Sequence, residues 1–231
     1  MTSPLASRWT AIAVLTFVNM LWGCSFPLMK SLLLFIEDRY PGADEVALRG
    51  AGTAFLLALR FTLALGLFAI VFRANFRAAT AKEWGAGALV GVAFSIGMLL
   101  QVYGLGLIPA SRSGFLTSMC VVFVPIATAL VHGRLPNLPT ILGVCAAVVG
   151  VTILSGVLVW TPRGPAFASD STSGWTFGDT LTLAGTLLFT IQIMAIDGFG
   201  KRLRPACLTP GSFAVTAAVG WIAFAATLCL A

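Results

Sequence analysis

The first apolar stretch carries an amide, two aromatic rings and a cation at helical spacing: Asn19, Trp22, Phe26 and Lys30. Steps of three or four residues place these side chains on one face of an α-helix. The rings could line a cavity, Asn19 could orient a bound molecule, and Lys30 could attract an anionic group. Pro27 lies in the same stretch, where a proline removes one backbone hydrogen bond and tends to kink a helix.

A packing role is the alternative interpretation of this face. Trp22 and Phe26 would then pack against neighbouring helices, while Lys30 would extend its ammonium group to the outer membrane interface. Both interpretations stay open for Lys30. For Asn19 the binding role is favoured, because polar groups inside a membrane span need a partner or a cavity.

Arg60 is a second cation within an apolar stretch. It lies thirteen residues before Arg73, or about 20 Å along a helix, which places it near the level of Lys30. A charge at that depth costs at least about 2.5 kcal/mol on insertion scales, so it usually faces a cavity or a partner. Two cations at one level suit an anionic group. Alternatively, Arg60 is permanently paired with backbone carbonyls or with an outer acid, Asp44 or Glu45.

Polar side chains in the later spans either bind a ligand or form hydrogen bonds between helices, at roughly 0.6 kcal/mol per bond. The Ser and Thr residues there are interpreted as interhelical hydrogen-bonding groups. Gln101 and Gln192 carry larger amides that are harder to satisfy locally, so both join the candidate binding residues. Asp179, which follows Gly178 at the start of a span, is interpreted as a helix N-cap or an interface charge.

Catalytic motifs do not accompany these residues. The sequence contains no Gly-x-Ser-x-Gly, His-Glu-x-x-His or Walker motif, so we expect no enzymatic activity. Its five cysteines include no Cys-x-x-Cys pair, and none lies beside His132, the one histidine. Metal and disulfide sites are therefore not expected. The net charge of +6 is spread over short gaps, which disfavours nucleic-acid binding.

The elements that position these side chains must be membrane spans. Of 231 residues, 58% are hydrophobic and 10% charged, against about 25% charged in soluble domains. A helix of about 20 apolar residues crosses a hydrocarbon core about 30 Å thick. The sequence predicts an all-α polytopic helix bundle, in which a Gly87-x-x-x-Gly91 pair lets helices pack closely. Seven apolar stretches meet the length requirement: 10–35, 48–72, 84–107, 113–131, 138–160, 178–199 and 208–231.

Basic residues collect on one side of these spans. The positive-inside rule therefore places the N-terminus in the cytoplasm of a multi-pass inner-membrane protein. The basic residues on that side are Arg8, Arg73, Arg77, Lys82, Arg134, Lys201, Arg202 and Arg204.

The longest polar gap, residues 161–177, is rich in Pro, Gly, Ser and Thr and predicts an irregular periplasmic linker. It separates five spans in residues 1–160 from two spans in residues 178–231. An odd number of spans per unit makes two such units inverted in the membrane. We therefore predict a five-span repeat followed by the start of a second, inverted repeat.

Two segments carry a family resemblance. The sequence WGCSF at 22–26, followed by Lys30, and the sequence LRF at 59–61 resemble the "WG-x-x-F…K" and "LRF" signatures of the EamA-like family in the drug/metabolite transporter superfamily. Further similar segments follow in the same order along the chain: Tyr103-Gly104-Leu105, 110–116, Pro125, 142–151, 178–179 and 187–189.

This resemblance implies a ten-span fold of two inverted five-span repeats around a central cavity. It also implies secondary transport of small metabolites such as amino acids, often as export, by alternating access and without a bound cofactor. Three spans would then be missing from this chain, or a homo-oligomer would complete the cavity. A truncated or partner-dependent membrane subunit, inactive alone, is the alternative function. The candidate substrate-binding residues are Asn19, Trp22, Phe26, Lys30, Arg60, Gln101 and Gln192.

Overall fold

The computed structural model describes residues 4–40, 42, 44–133, 137–154, 158–161, 164–167 and 174–230. This part of the chain forms nine helices and one antiparallel β-hairpin. The helices are α1 Pro4–Arg39, α2 Glu45–Val71, α3 Arg73–Ala78, α4 Ala81–Leu107, α5 Ala110–Ser118, α6 Cys120–His132, α7 Leu138–Leu154, α8 Phe177–Gly200 and α9 Pro205–Leu230. The strands are β1 Leu158–Thr161 and β2 Gly164–Phe167.

Six segments of the described chain are long and apolar enough to cross a membrane: α1, α2, α4, α5 with α6, α8 and α9. The predicted all-α multi-pass bundle is thereby confirmed. The fifth predicted span, 138–160, contains a shorter helix than expected, because α7 ends at Leu154. Its 17 residues rise only about 25 Å at 1.5 Å per residue.

The β-hairpin occupies the end of that predicted span and part of the predicted linker. Leu158 pairs with Phe167, and Thr161 pairs with Gly164. Gly164 has a φ of 111°, a left-handed conformation that favours glycine. Residues 162–163 and 168–173 of the linker lie outside the described residues, as does Arg134. The division into residues 1–160, 161–177 and 178–231 stays a prediction.

Helix α4 is the centre of the bundle and packs along α8 and α9. Gly97 lies against Phe189 and Gly104 lies against Gly178, so α8 runs antiparallel to α4. Helix α9 runs parallel to α4 and antiparallel to α2, which it also contacts. We call the end where α4 finishes and α8 begins the upper end, and the opposite end the lower end.

Glycines allow the backbones of α4 and α9 to touch. A Cβ atom at Gly87 would lie 2.1 Å from the carbonyl oxygen of Leu208. One at Gly91 would lie 2.9 Å from the Cα atom of Ser212. The Gly87-x-x-x-Gly91 pair is therefore a packing surface, as predicted.

Pro27 does not break the helix that contains it. Helix α1 continues through Pro27, and the hydroxyl of Ser31 donates to the Pro27 carbonyl at 3.0 Å. The fourth predicted span is divided instead at Met119, where α5 ends and α6 begins. The Met119 backbone N–H donates to the carbonyl of Leu116 at 3.2 Å, a tight turn of the 3₁₀ type.

An ion pair closes the lower end of α4. Thr80 and Glu83 form a capping box, in which each side chain accepts a hydrogen bond from the other residue's backbone N–H. Arg204, which precedes α9, contacts the Glu83 carboxylate at 2.8 Å and donates to the carbonyl of Ala78 at 2.6 Å. The Glu83 carboxylate raises the pKa of Arg204 above its ordinary value, so the arginine stays charged.

A matching ion pair closes the upper end of α8. Thr176 is the N-cap of α8, and its partner in a second capping box is Asp179. Arg112 of α5 contacts the Asp179 carboxylate at 2.6 Å and donates to the Gly174 carbonyl at 3.0 Å. Asp179 thus supports the N-cap rather than being the cap itself, and it also carries an interface charge.

Candidate functional site

A groove of about 380 Å³ lies between α1 and α5. None of the residues that line it carries a formal charge, and both helices contribute small side chains that keep it open. The lining residues are Asn19, Trp22, Gly23, Phe26 and Pro27 of α1 with Ala110, Ser111, Gly114, Thr117 and Ser118 of α5. It contains three of the seven predicted binding residues, and we treat it as the candidate site.

The α1 wall combines two aromatic rings with one amide. The rings of Trp22 and Phe26 lie 6.3 Å apart at an angle of 49°. Phe26 is buried in the apolar core, whereas Trp22 is 42% exposed, so the indole is available to a bound molecule. The Asn19 amide nitrogen donates to the Leu15 carbonyl at 2.8 Å, which leaves its oxygen as an acceptor. This wall can stack a flat or apolar group and accept one hydrogen bond.

The α5 wall supplies hydroxyl groups. Ser111 and Ser118 are exposed, and Thr117 is buried behind them. The Thr117 hydroxyl donates to the Ser113 carbonyl at 2.9 Å and accepts from the Gln101 amide at 2.6 Å. Gln101 is 1% exposed, so it acts on the groove only by holding Thr117 in place.

Lys30 lies above the groove, at the upper end of the bundle. Its ammonium group donates to the carbonyl of Gly106, in the last turn of α4. A cation at this position interacts favourably with the free carbonyls of a helix C-terminus. Nearby, the buried Arg49 pairs with Glu37 at 2.7 Å and with Glu45 at 2.6 Å. The structure therefore gives Lys30 a protein partner outside the groove.

Arg60 has no acidic partner among the described residues. Its guanidinium lies 3.6 Å from the sulfur of Met29 and 5.8 Å from the ring centroid of Phe61. The alternative pairing with Asp44 or Glu45 does not occur. Asp44 accepts from the backbone of its own helix, and Glu45 is bonded to Arg49. Arg60 therefore contacts the α1 residue that precedes Lys30, and the predicted common depth of the two cations stays a prediction.

The predicted residues thus fall into separate places. Asn19, Trp22 and Phe26 share the groove, and Gln101 reaches it through Thr117. Lys30 and Arg60 do not line it. Gln192 is half-buried on α8 and does not line it either. Their role in substrate binding remains a prediction.

Sequence reasoning missed the α5 side of the groove. Ser111, Gly114 and Ser118 lie three and four residues apart, which is the same spacing that identified the α1 face. The Ser and Thr hydroxyls on this side had been interpreted as interhelical hydrogen-bonding groups, and for Thr117 that interpretation is correct.

A larger groove, of about 800 Å³, lies between α6 and α7. Its lining is mostly aliphatic, and two of its polar residues are already used. Asn137 accepts from the backbone N–H and from the hydroxyl of Thr140 at the start of α7. Few polar groups remain there to orient a ligand, so the α1–α5 groove is the better candidate site.

Comparison with known proteins agrees with this membrane architecture. Residues 9–156 match the EamA-like transporter family, which confirms the resemblance. A protein of Archaeoglobus fulgidus, described as an uncharacterized transporter, is 27% identical over 194 residues. The match covers 84% of this chain and 51% of the relative, so the chain spans about half the relative's length. No solved structure matches the chain.

Proposed function

Because the chain belongs to the EamA-like transporter family, we propose that it is a secondary transporter of small metabolites such as amino acids, working by alternating access. The observation that carries this proposal is the α1–α5 groove, where aromatic rings, an amide oxygen and hydroxyls face one space. Such a mixture of apolar surface and few polar groups is typical of small-molecule sites.

An anionic group on the substrate would account for the two cations, Lys30 and Arg60, outside the groove. Arg60 has no acidic partner among the described residues, and a membrane-embedded charge without a partner is a functional candidate. The Lys30 ammonium group would donate to a substrate carboxylate in place of the Gly106 carbonyl. We also propose the inner membrane as the location, with a cytoplasmic N-terminus, on the basis of the positive-inside rule.

Solute counterflow in proteoliposomes tests the transport proposal. The full chain is reconstituted with unlabelled solute inside, and labelled amino acids and organic acids are offered in mixtures. Trp22→Ala should reduce accumulation about fivefold or more, because it removes an aromatic contact worth about 1 kcal/mol or more. Trp9→Ala is the matched control, since Trp9 lies on the same helix, is 68% exposed and is outside the groove.

Accumulation that falls in the Trp22 variant and persists in the Trp9 variant supports the groove as the transport site. Equal accumulation in both variants would reject that site. An absence of accumulation from monodisperse, helical protein would favour the alternative of a partner-dependent subunit.

Neutral substitutions test the anionic part separately. Arg60→Gln and Lys30→Gln are each expected to raise the apparent KM for carboxylate substrates about tenfold, because each removes a charge-assisted hydrogen bond. The KM for uncharged substrates should change little. Arg39→Gln, an exposed charge at the end of α1, is the control. Unchanged carboxylate kinetics in both variants would refute the anion site.

A further inference from the structure

Two ion pairs lie at opposite ends of the α4–α8 pair. We call Arg112 with Asp179 the upper latch and Arg204 with Glu83 the lower latch. In each latch, the acid lies in the first turn of one long helix. The arginine lies just beyond the end of the other long helix. Since α4 and α8 are antiparallel, one latch lies at each membrane face.

The sequence near each latch contains the same pattern of residues with the same spacing. A threonine, an acid and a proline recur 96 residues apart: Thr80, Glu83 and Pro109 against Thr176, Asp179 and Pro205. The threonine and acid form a capping box in both copies. The proline marks the start of the following helix, α5 or α9. The two capping boxes are therefore equivalent on antiparallel helices, whereas the arginines differ in register: Arg112 lies three residues after Pro109 and Arg204 one residue before Pro205.

The acids belong to the long helices, and the arginines belong to the starts of the helices that follow. Asp179 is 0% exposed and Glu83 is 3% exposed, and each is held by backbone hydrogen bonds of its own capping box. The arginines lie instead at the starts of α5 and α9, beside Pro109 and Pro205. Proline has no backbone N–H to tie these turns to the preceding helix. Release of an arginine would free the start of its helix.

The upper latch also adjoins the candidate site. Arg112 follows Ala110 and Ser111, which line the groove, and precedes Gly114, which does so as well. A movement of the start of α5 away from α8 would therefore shift one wall of the groove. The other wall, on α1, is not attached to this latch.

We propose that the two latches are alternating gates: release of the upper latch opens the groove to one side of the membrane while the lower latch stays closed, and the reverse. This inference rests on the proposed transport function. In the present conformation both latches are closed, as in an occluded state. As one end opens, the ion pair there would break, and its charged groups would contact water or solute instead.

Two ion pairs that only hold the fold together would behave differently from gates. Removal of either arginine would then loosen the protein at that end and leave the other end unchanged or looser. Alternating gates predict opposite effects at the two ends, because a ligand or variant that favours one state depopulates the other. Whether the end opposite the removed arginine becomes more or less open therefore distinguishes a structural ion pair from a gate.

Cys207 is a native probe of the lower end. It lies three residues after Arg204, is 1% exposed and contacts the carbonyl of Asn75. With the other four cysteines changed to alanine, maleimide labelling of Cys207 in proteoliposomes reports opening at that end. Arg204→Gln should raise the labelling rate about tenfold, and Arg112→Gln should lower it about threefold. Lys201→Gln, which breaks an exposed ion pair at the same end, should leave the rate unchanged.

A rise in Cys207 labelling with Arg112→Gln, or no change, would overturn the proposal. If that variant fails to fold, Arg112→Lys replaces it; it keeps the charge but loses the planar donor geometry. A smaller decrease in labelling is then expected, and an unchanged rate again overturns the proposal. Labelling needs no substrate. If the two arginine variants change Cys207 labelling in opposite directions but no counterflow is seen, the gates are supported and the transport proposal is rejected. If counterflow is seen but the labelling changes are not opposite, only the gates are rejected.

Discussion

Replacing Gly87 with leucine is expected to destabilise the bundle by about 3 kcal/mol or more, because no side chain fits between α4 and α9 at this point. The added Cβ would lie 2.1 Å from the carbonyl oxygen of Leu208 and 3.2 Å from the Cα atom of Gly211. Both are backbone atoms, so no rotamer change can relieve the overlap. The helices would have to separate, and their packing contacts, which hold membrane helices together, would be lost.

Gly85→Leu is the matched control for this substitution. Gly85 lies two residues earlier on α4 and is exposed, and an added Cβ there meets nothing within 4 Å. Both variants carry the same change in helix propensity, so their difference isolates the contact with α9. Thermal unfolding of the detergent-purified proteins measures it. Equal melting temperatures for the two variants would show that α9 does not pack against Gly87.

The ends of the spans could be predicted because the cost of burying backbone polar groups in lipid forces helices over apolar stretches. The prediction of a span at 178–199 is within one residue of α8 at each end, and that at 48–72 is within three residues of α2. The prediction at 138–160 was wrong at its end. Leu158–Thr161 form β1 instead, and composition does not distinguish a short apolar strand from a helix turn.

The site was predictable where its geometry lies within one helix. The spacing of Asn19, Trp22 and Phe26 is set by the helix repeat alone, and the structure keeps the three on one groove. The partners of Lys30 and Arg60 depend on how separate helices pack. Gly106 lies 76 residues from Lys30, and the sequence around Lys30 or around Gly106 does not predict their contact.

In the latches, too, the local part could be predicted from the sequence and the long-range part could not. The Thr-x-x-acid pattern at Thr80 and Thr176 is local and could have been recognised as two capping boxes. The arginine partners could not, since Arg112 lies 67 residues from Asp179 and Arg204 lies 121 residues from Glu83. Only the antiparallel packing of α4 and α8 brings them together.

Asp179→Asn is expected to destabilise the protein by about 3 kcal/mol, because it leaves the largely buried cation of Arg112 without its counter-charge. Asparagine keeps the size of the side chain and can still accept a hydrogen bond from the backbone of Thr176. The loss therefore reports the ion pair more than the cap. Asp197→Asn is the control, since the pair with Lys201 leaves both side chains more than 60% exposed, and such pairs contribute little.

A double variant strengthens this measurement. Arg112→Gln combined with Asp179→Asn removes both charges, so no unpaired ion stays buried at the upper end of α8. The double variant should be more stable than Asp179→Asn alone, because breaking one side of a buried pair costs more than removing the pair. Chemical unfolding in detergent gives the three free energies of unfolding. If Asp179→Asn matches Asp197→Asn in stability, the Asp179 carboxylate does not hold a buried charge, and the upper latch does not exist.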